Sequence, residues 1–60
     1  MTKDQWLTLF ARLVVLELRP HLNVKVARTI AMREWTMSNE CVPEVAARQW
    51  DEDAKSDRGG

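Results

Sequence analysis

The pattern of apolar and polar residues predicts three helices. Residues 3–19 contain neither glycine nor proline. Thr2, with Gln5 three positions later, forms the signature of a capping box at the start of a helix. Pro20 disfavours helical geometry in the residue before it. We therefore expect the first helix to span residues 3–19.

Two shorter segments continue the helical pattern. Asn23 is a good N-cap, which predicts a second helix from residue 24 to about residue 37. Pro43 suits the first position of a third helix, expected to run to about residue 55, with residues 56–60 as a frayed tail. Two acid-first pairs at i, i+4 spacing support this third helix: Glu44 with Arg48, and Asp51 with Lys55.

One segment has a competing interpretation. The stretch LVVLELR, residues 13–19, alternates like a strand, and a strand there would give a strand–helix–helix fold with intermolecular strand pairing. No turn signal separates this stretch from the capped helix, and length favours a helix. The prediction is an all-α fold of three helices, a long helical hairpin plus a shorter third helix, in one domain over residues 1–55.

The first helix carries more apolar surface than one neighbour can cover. At about 100° per residue its apolar side chains occupy more than half of the circumference, whereas an ordinary surface helix has a narrower stripe. The third helix, whose stripe is mostly alanine, is expected to cover little of it. We therefore predict a homodimer, intertwined or side by side, with an interface formed by Trp6, Leu9, Phe10, Leu13, Leu16 and Glu17.

Size and composition favour the same conclusion. A chain of 60 residues buries only about 60% of its unfolded surface and is marginally stable alone. One cysteine and one histidine exclude an intrachain disulfide and a closed zinc site. Association with another chain is then the expected supplement.

Charge gives no strong indication of a partner. Lys plus Arg and Asp plus Glu both number 9, so no global field attracts nucleic acid. No signal peptide is visible, and the apolar run is too short for a membrane span. We expect a cytoplasmic protein with no membrane contact, metal, cofactor or small-molecule substrate.

Three sets of residues are candidates for binding or chemistry. The tryptophans either fill the core or anchor a partner protein, and the predicted partner-binding residues are Trp50, Trp35 and Ala46. A basic helix face predicts possible nucleic-acid contacts by Lys25, Arg28, Arg33 and Arg48. Glu17 and Glu34 could form an acid/base pair, but no nucleophile accompanies them. We expect each to lie at an interface rim, with Arg12 or Arg28 as the counter-charge.

These features together predict a small non-enzymatic regulator or adaptor. It would bind another protein through an apolar, tryptophan-bearing helical surface, as a homodimer. The alternative is a dimeric DNA-binding regulator that uses the basic face of the second helix.

Overall fold

The computed structural model describes the backbone of residues 1–59 and the side chains of residues 1–55. This part of the chain is all-helical, with three helices and no strand. Helix α1 spans Lys3–Leu13 and continues into a π-helical turn, Val14–Leu18. Helix α2 spans Val24–Ser38, and helix α3 spans Pro43–Gly59. The all-α prediction is confirmed.

The helix starts follow from short-range capping. The Thr2 hydroxyl accepts a hydrogen bond from the Gln5 amide at 3.2 Å, and the Gln5 side chain accepts one from the Thr2 amide at 3.1 Å. The Asn23 side chain accepts a hydrogen bond from the Lys25 amide at 2.7 Å. Pro43 is the first residue of α3, where its missing N–H costs nothing. All three predicted starts are confirmed.

The helix ends depart more from expectation. Helix α3 continues past residue 55 to Gly59. The segment predicted to be a frayed tail is thus helical as far as Gly59, and only Gly60 lies outside the described backbone.

The π-helical turn replaces the strand considered for residues 13–19. The Arg19 amide donates to the Val14 carbonyl at 2.6 Å, an i→i+5 bond that defines a widened turn. Arg19 itself has left the helical region, with φ −134° and ψ 74°. Pro20 disfavours helical geometry in the residue before it, so the helix stops there.

The core is built on one connected cluster of aromatic rings. Trp6 stacks on Phe10 with ring centroids 5.3 Å apart, and the edge contact between Trp6 and Trp35 spans 5.4 Å. Phe10 meets Trp50 edge-to-face at 6.3 Å. Trp35 belongs to α2 and Trp50 to α3, so α1 is the central helix and the rings join it to both neighbours.

Alanines let the outer helices approach α1 closely, because the distance between helix axes depends on the side chains at the contact. The buried alanines of the two outer helices are Ala27, Ala31, Ala46 and Ala47. The expectation that the third helix covers little of α1 was therefore wrong. Small residues bring α3 close enough to help bury Phe10 and Val14, both 0% exposed.

Candidate functional site

A shallow groove lies between α1 and the start of α3. Leu9 and Leu13 form one wall, and Val42, Pro43 and Glu44 form the other. Leu9 is 45% exposed and Val42 is 57% exposed, so the groove presents apolar surface to solvent.

A single hydrogen bond holds the loop before α3 against α1. The Trp6 indole N–H donates to the Cys41 carbonyl at 2.8 Å. Because Trp6 is itself fixed in the aromatic core, this bond positions the first turn of α3 and the buried Pro43 beside α1. The groove is thus anchored to the buried aromatic core through Trp6.

The outward face of α1 extends from this groove into the π-helical turn. We define this outward face as Leu9, Arg12, Leu13, Leu16 and Glu17. Leu16 is 69% exposed, Arg12 and Glu17 are exposed, and Leu13 is half-buried. The face is therefore an apolar stripe that carries one cation and one anion.

Among the described residues, neither Arg12 nor Glu17 takes part in an ion pair. Arg28, the other predicted counter-charge, instead contacts Asp4 at 3.3 Å and donates to the Thr8 hydroxyl at 3.4 Å. Arg12 is therefore the predicted counter-charge that remains available.

The structure narrows the interface predicted for the first helix. Trp6 and Phe10 are 2% and 0% exposed, because the chain's own helices cover them. They lie in the core and are not available to a second copy. Leu9, Leu16 and Glu17 are exposed and form one surface with the half-buried Leu13.

Of the residues predicted to bind a partner protein, one lies in the core and two are partly exposed. Ala46 is 2% exposed and belongs to the core, so it cannot contact a partner. Trp35 and Trp50 are half-buried. Trp50 lines a depression between α2 and α3 that also includes Glu34 and Met37, and its ring also contacts Phe10 of the core.

The four residues predicted to contact nucleic acid lie on two different helices, and two of them form ion pairs within the chain. Arg48 lies on α3 and contacts Glu44 at 3.5 Å, the i, i+4 pair expected from the sequence. Arg28 forms an ion pair with Asp4 on α1. Lys25 and Arg33 remain exposed on α2, without an ion-pair partner among the described residues.

Sequence reasoning missed a charged cluster at the end of the π-helical turn. The Arg19 guanidinium lies 3.0 Å from Asp51 Oδ1 and 5.5 Å from the centroid of the Trp50 ring. Lys55 Nζ contacts the second oxygen, Oδ2, at 3.2 Å, as the i, i+4 spacing predicted. Asp51 is only 6% exposed, and its Oδ1 has the ionic contact without an aligned hydrogen bond. The four-residue spacing that relates Asp51 to Ala47 and Pro43, both buried, is the sequence signal that could have indicated its place on the inward side of α3.

The two glutamates considered as an acid/base pair lie on different elements, the π-helical turn and α2. Glu17 is exposed, and Glu34 is half-buried. No group of three or more His, Cys, Asp or Glu side chains within this part of the chain could hold a metal ion. Cys41 is an exposed free thiol. None of the described helices combines the length and apolarity that a membrane crossing requires.

Comparison with known proteins gives no relative from which a role could be transferred: no protein-family model, no curated protein and no solved structure matches this chain.

Proposed function

We propose that this protein is a small non-enzymatic regulator or adaptor that binds another protein and acts as a homodimer. The observation that carries the proposal is the outward face of α1. Leu9 and Leu16 are 45% and 69% exposed and lie beside an apolar groove. Contiguous exposed apolar surface of this kind is typical of protein interaction sites.

A second surface supports an adaptor rather than a simple dimer. The depression between α2 and α3 is lined by Met37, Trp50 and Ala54, with Glu34 and Asp53 at its edge. It contains no residue of α1, so self-association through α1 leaves it open. Met37 is 75% exposed there, which provides an adaptable apolar contact for another polypeptide.

Light scattering over a concentration series tests the homodimer. We expect the native chain to double in mass as concentration rises, and the double variant Leu9→Glu/Leu16→Glu to remain monomeric. Met32→Glu is the matched control, since Met32 is 54% exposed on α2 and is not part of the outward face of α1. A native chain that is monomeric at every concentration contradicts the proposal.

Retention experiments test the adaptor role. We expect the immobilised native chain to retain a polypeptide. The Met37→Asp variant should no longer retain this polypeptide, whereas the Met32→Asp variant should. Equal retention by both variants would show that the α2–α3 depression is not the binding surface.

One observation favours DNA binding as the second candidate. The exposed residues of α2 include Lys25 and Arg33 and no carboxylate, because Glu34 is half-buried. A dimer would present this basic face twice. We expect Lys25→Glu/Arg33→Glu to abolish filter retention of DNA at low salt, where phosphate contacts are strongest, and Arg48→Glu to change it little. No retention of the native chain at low salt contradicts this candidate.

A further inference from the structure

Among the described residues that line the depression between α2 and α3, the only charged groups are carboxylates. The lining consists of Glu34, Met37, Trp50, Asp53 and Ala54. Glu34 is half-buried and Asp53 is exposed, and neither forms an ion pair within the described part of the chain. Arg33, the neighbour of Glu34 in the sequence, is exposed and forms no ion pair with either carboxylate. The depression is therefore an apolar surface that carries two anions without counter-ions.

These charges restrict the kind of molecule that can cover the depression. A partner bound there removes water from Glu34 and Asp53. Withdrawing a carboxylate from water is costly unless a cation or hydrogen-bond donors replace the water. An apolar or acidic partner leaves both carboxylates unpaired. A lysine or arginine beside an apolar side chain supplies the missing counter-ion and also an apolar contact for Met37 and Trp50.

The same charges disfavour a second copy of the chain as the occupant. In a twofold contact a surface faces itself. Glu34 and Asp53 of one copy would then approach the same two carboxylates of the other copy. Like charges brought together in this way are unfavourable and exclude such pairings, so the occupant is expected to be a different polypeptide.

We propose that the α2–α3 depression binds a basic amphipathic segment of another protein, in which Lys or Arg side chains contact the two carboxylates and a neighbouring apolar side chain packs on Met37 and Trp50. The proposal rests on the adaptor role proposed above and specifies the chemistry of its partner. The depression is open to solvent, so a polypeptide segment can lie across it. Sites for small molecules, in contrast, enclose most of the surface of the ligand.

Fluorescence anisotropy at low salt measures the binding of three labelled peptides of equal length to the native chain. The first peptide arranges leucine and lysine on opposite faces of a helix. The second replaces each lysine by glutamate, and the third replaces each leucine by serine. We expect the leucine–lysine peptide to bind about tenfold more tightly than either of the others, since it alone supplies both counter-ions and apolar contacts. Added salt should weaken this binding, because it screens exposed charges.

Neutral variants test the two carboxylates. We expect Glu34→Gln/Asp53→Asn to bind the leucine–lysine peptide about tenfold more weakly at low salt and to lose most of the salt dependence. Glu40→Gln/Glu52→Gln is the matched control, because it changes the net charge equally at two exposed positions outside the lining. Its affinity should stay within about threefold of the native value. If circular dichroism shows that the double variant is not folded, Asp53→Asn replaces it, with weakening of about threefold.

Serine variants test the apolar contact without adding a charge. Met37 and Met32 are 75% and 54% exposed on α2, and of the two only Met37 lines the depression. We expect Met37→Ser to weaken binding of the leucine–lysine peptide by about fivefold, since it removes apolar area from the contact. Met32→Ser should bind like the native chain.

Several results would overturn the proposed partner chemistry while the adaptor role stands. These are equally tight binding of the glutamate or serine peptide, binding of none of the three peptides, and an unchanged affinity in Glu34→Gln/Asp53→Asn. Self-association of the native chain that is lost in this double variant would identify a second copy as the occupant and would also overturn it. The adaptor role fails separately, if Met37→Asp and Met32→Asp retain polypeptides equally.

Discussion

The two faces of α1 and its π-helical turn both carry large apolar side chains but have opposite surroundings. On the inward face, Trp6, Phe10 and Val14 are 2%, 0% and 0% exposed. On the outward face, Leu9 and Leu16 remain 45% and 69% exposed. The difference in exposure arises because both neighbouring helices of the chain, α2 and α3, pack against the same side of α1. Apolar residues beyond that side are available for contacts between molecules.

The charges on the two faces differ in the same way. Arg19, at the inward end of the π-helical turn, pairs with Asp51 at 3.0 Å within the chain. Arg12 and Glu17 on the outward face have no such pair among the described residues. The inward charges are part of the fold, whereas Arg12 and Glu17 are exposed to solvent.

The largest expected effect comes from breaking the inward face. Phe10→Ala removes the ring that joins Trp6 to Trp50 and leaves a cavity, at a cost of about 3–5 kcal/mol. For a domain this small we expect loss of the cooperative unfolding transition, measured by circular dichroism during thermal denaturation. Leu16→Ala on the outward face is the control, with a change within about 0.5 kcal/mol at low protein concentration. A Phe10→Ala variant that unfolds near the native midpoint would contradict this division of α1.

The helix starts could be predicted from sequence because their signals are local. Thr2 with Gln5, Asn23 and Pro43 each act on amides within the first turn of their own helix. The inward stripe of α3 was also predictable, since helical spacing alone places Pro43 and Ala47 on one side. No knowledge of the neighbouring helices was required.

Which side of α1 is buried and which is exposed could not be predicted from such local signals. Whether a neighbouring helix covers Phe10 depends on how closely α3 approaches α1. The small side-chain area of the alanines on α3 gives no indication of this distance. The exposed part of the candidate site, Leu9, Leu16 and Glu17, was among the predicted residues. The contact between Arg19 and Asp51 joins residues far apart in the sequence and left no local signal.

A smaller effect is expected where the inward face ends. Asp51→Asn removes the counter-charge of Arg19, whose side chain is 21% exposed, so water compensates for part of the loss. We expect the free energy of unfolding to fall by about 1–3 kcal/mol, measured by urea denaturation. Asp53→Asn is the matched control, since Asp53 is exposed on the same helix. Equal stability of the two variants would show that the Arg19–Asp51 contact does not stabilise the packing of α3 against α1.

The smallest effect on the monomer, and the sharpest on assembly, is expected for Leu16→Ser. Because Leu16 is 69% exposed, its loss should change the stability of the dilute protein by no more than about 0.5 kcal/mol. Association that stabilises only the folded state makes the melting temperature rise with protein concentration. We expect this rise in the native chain and in Met32→Ser, and its disappearance in Leu16→Ser. If all three chains keep the same concentration dependence, self-association uses a surface other than the outward face of α1. If none shows it, the exposed leucines of that face do not serve self-association.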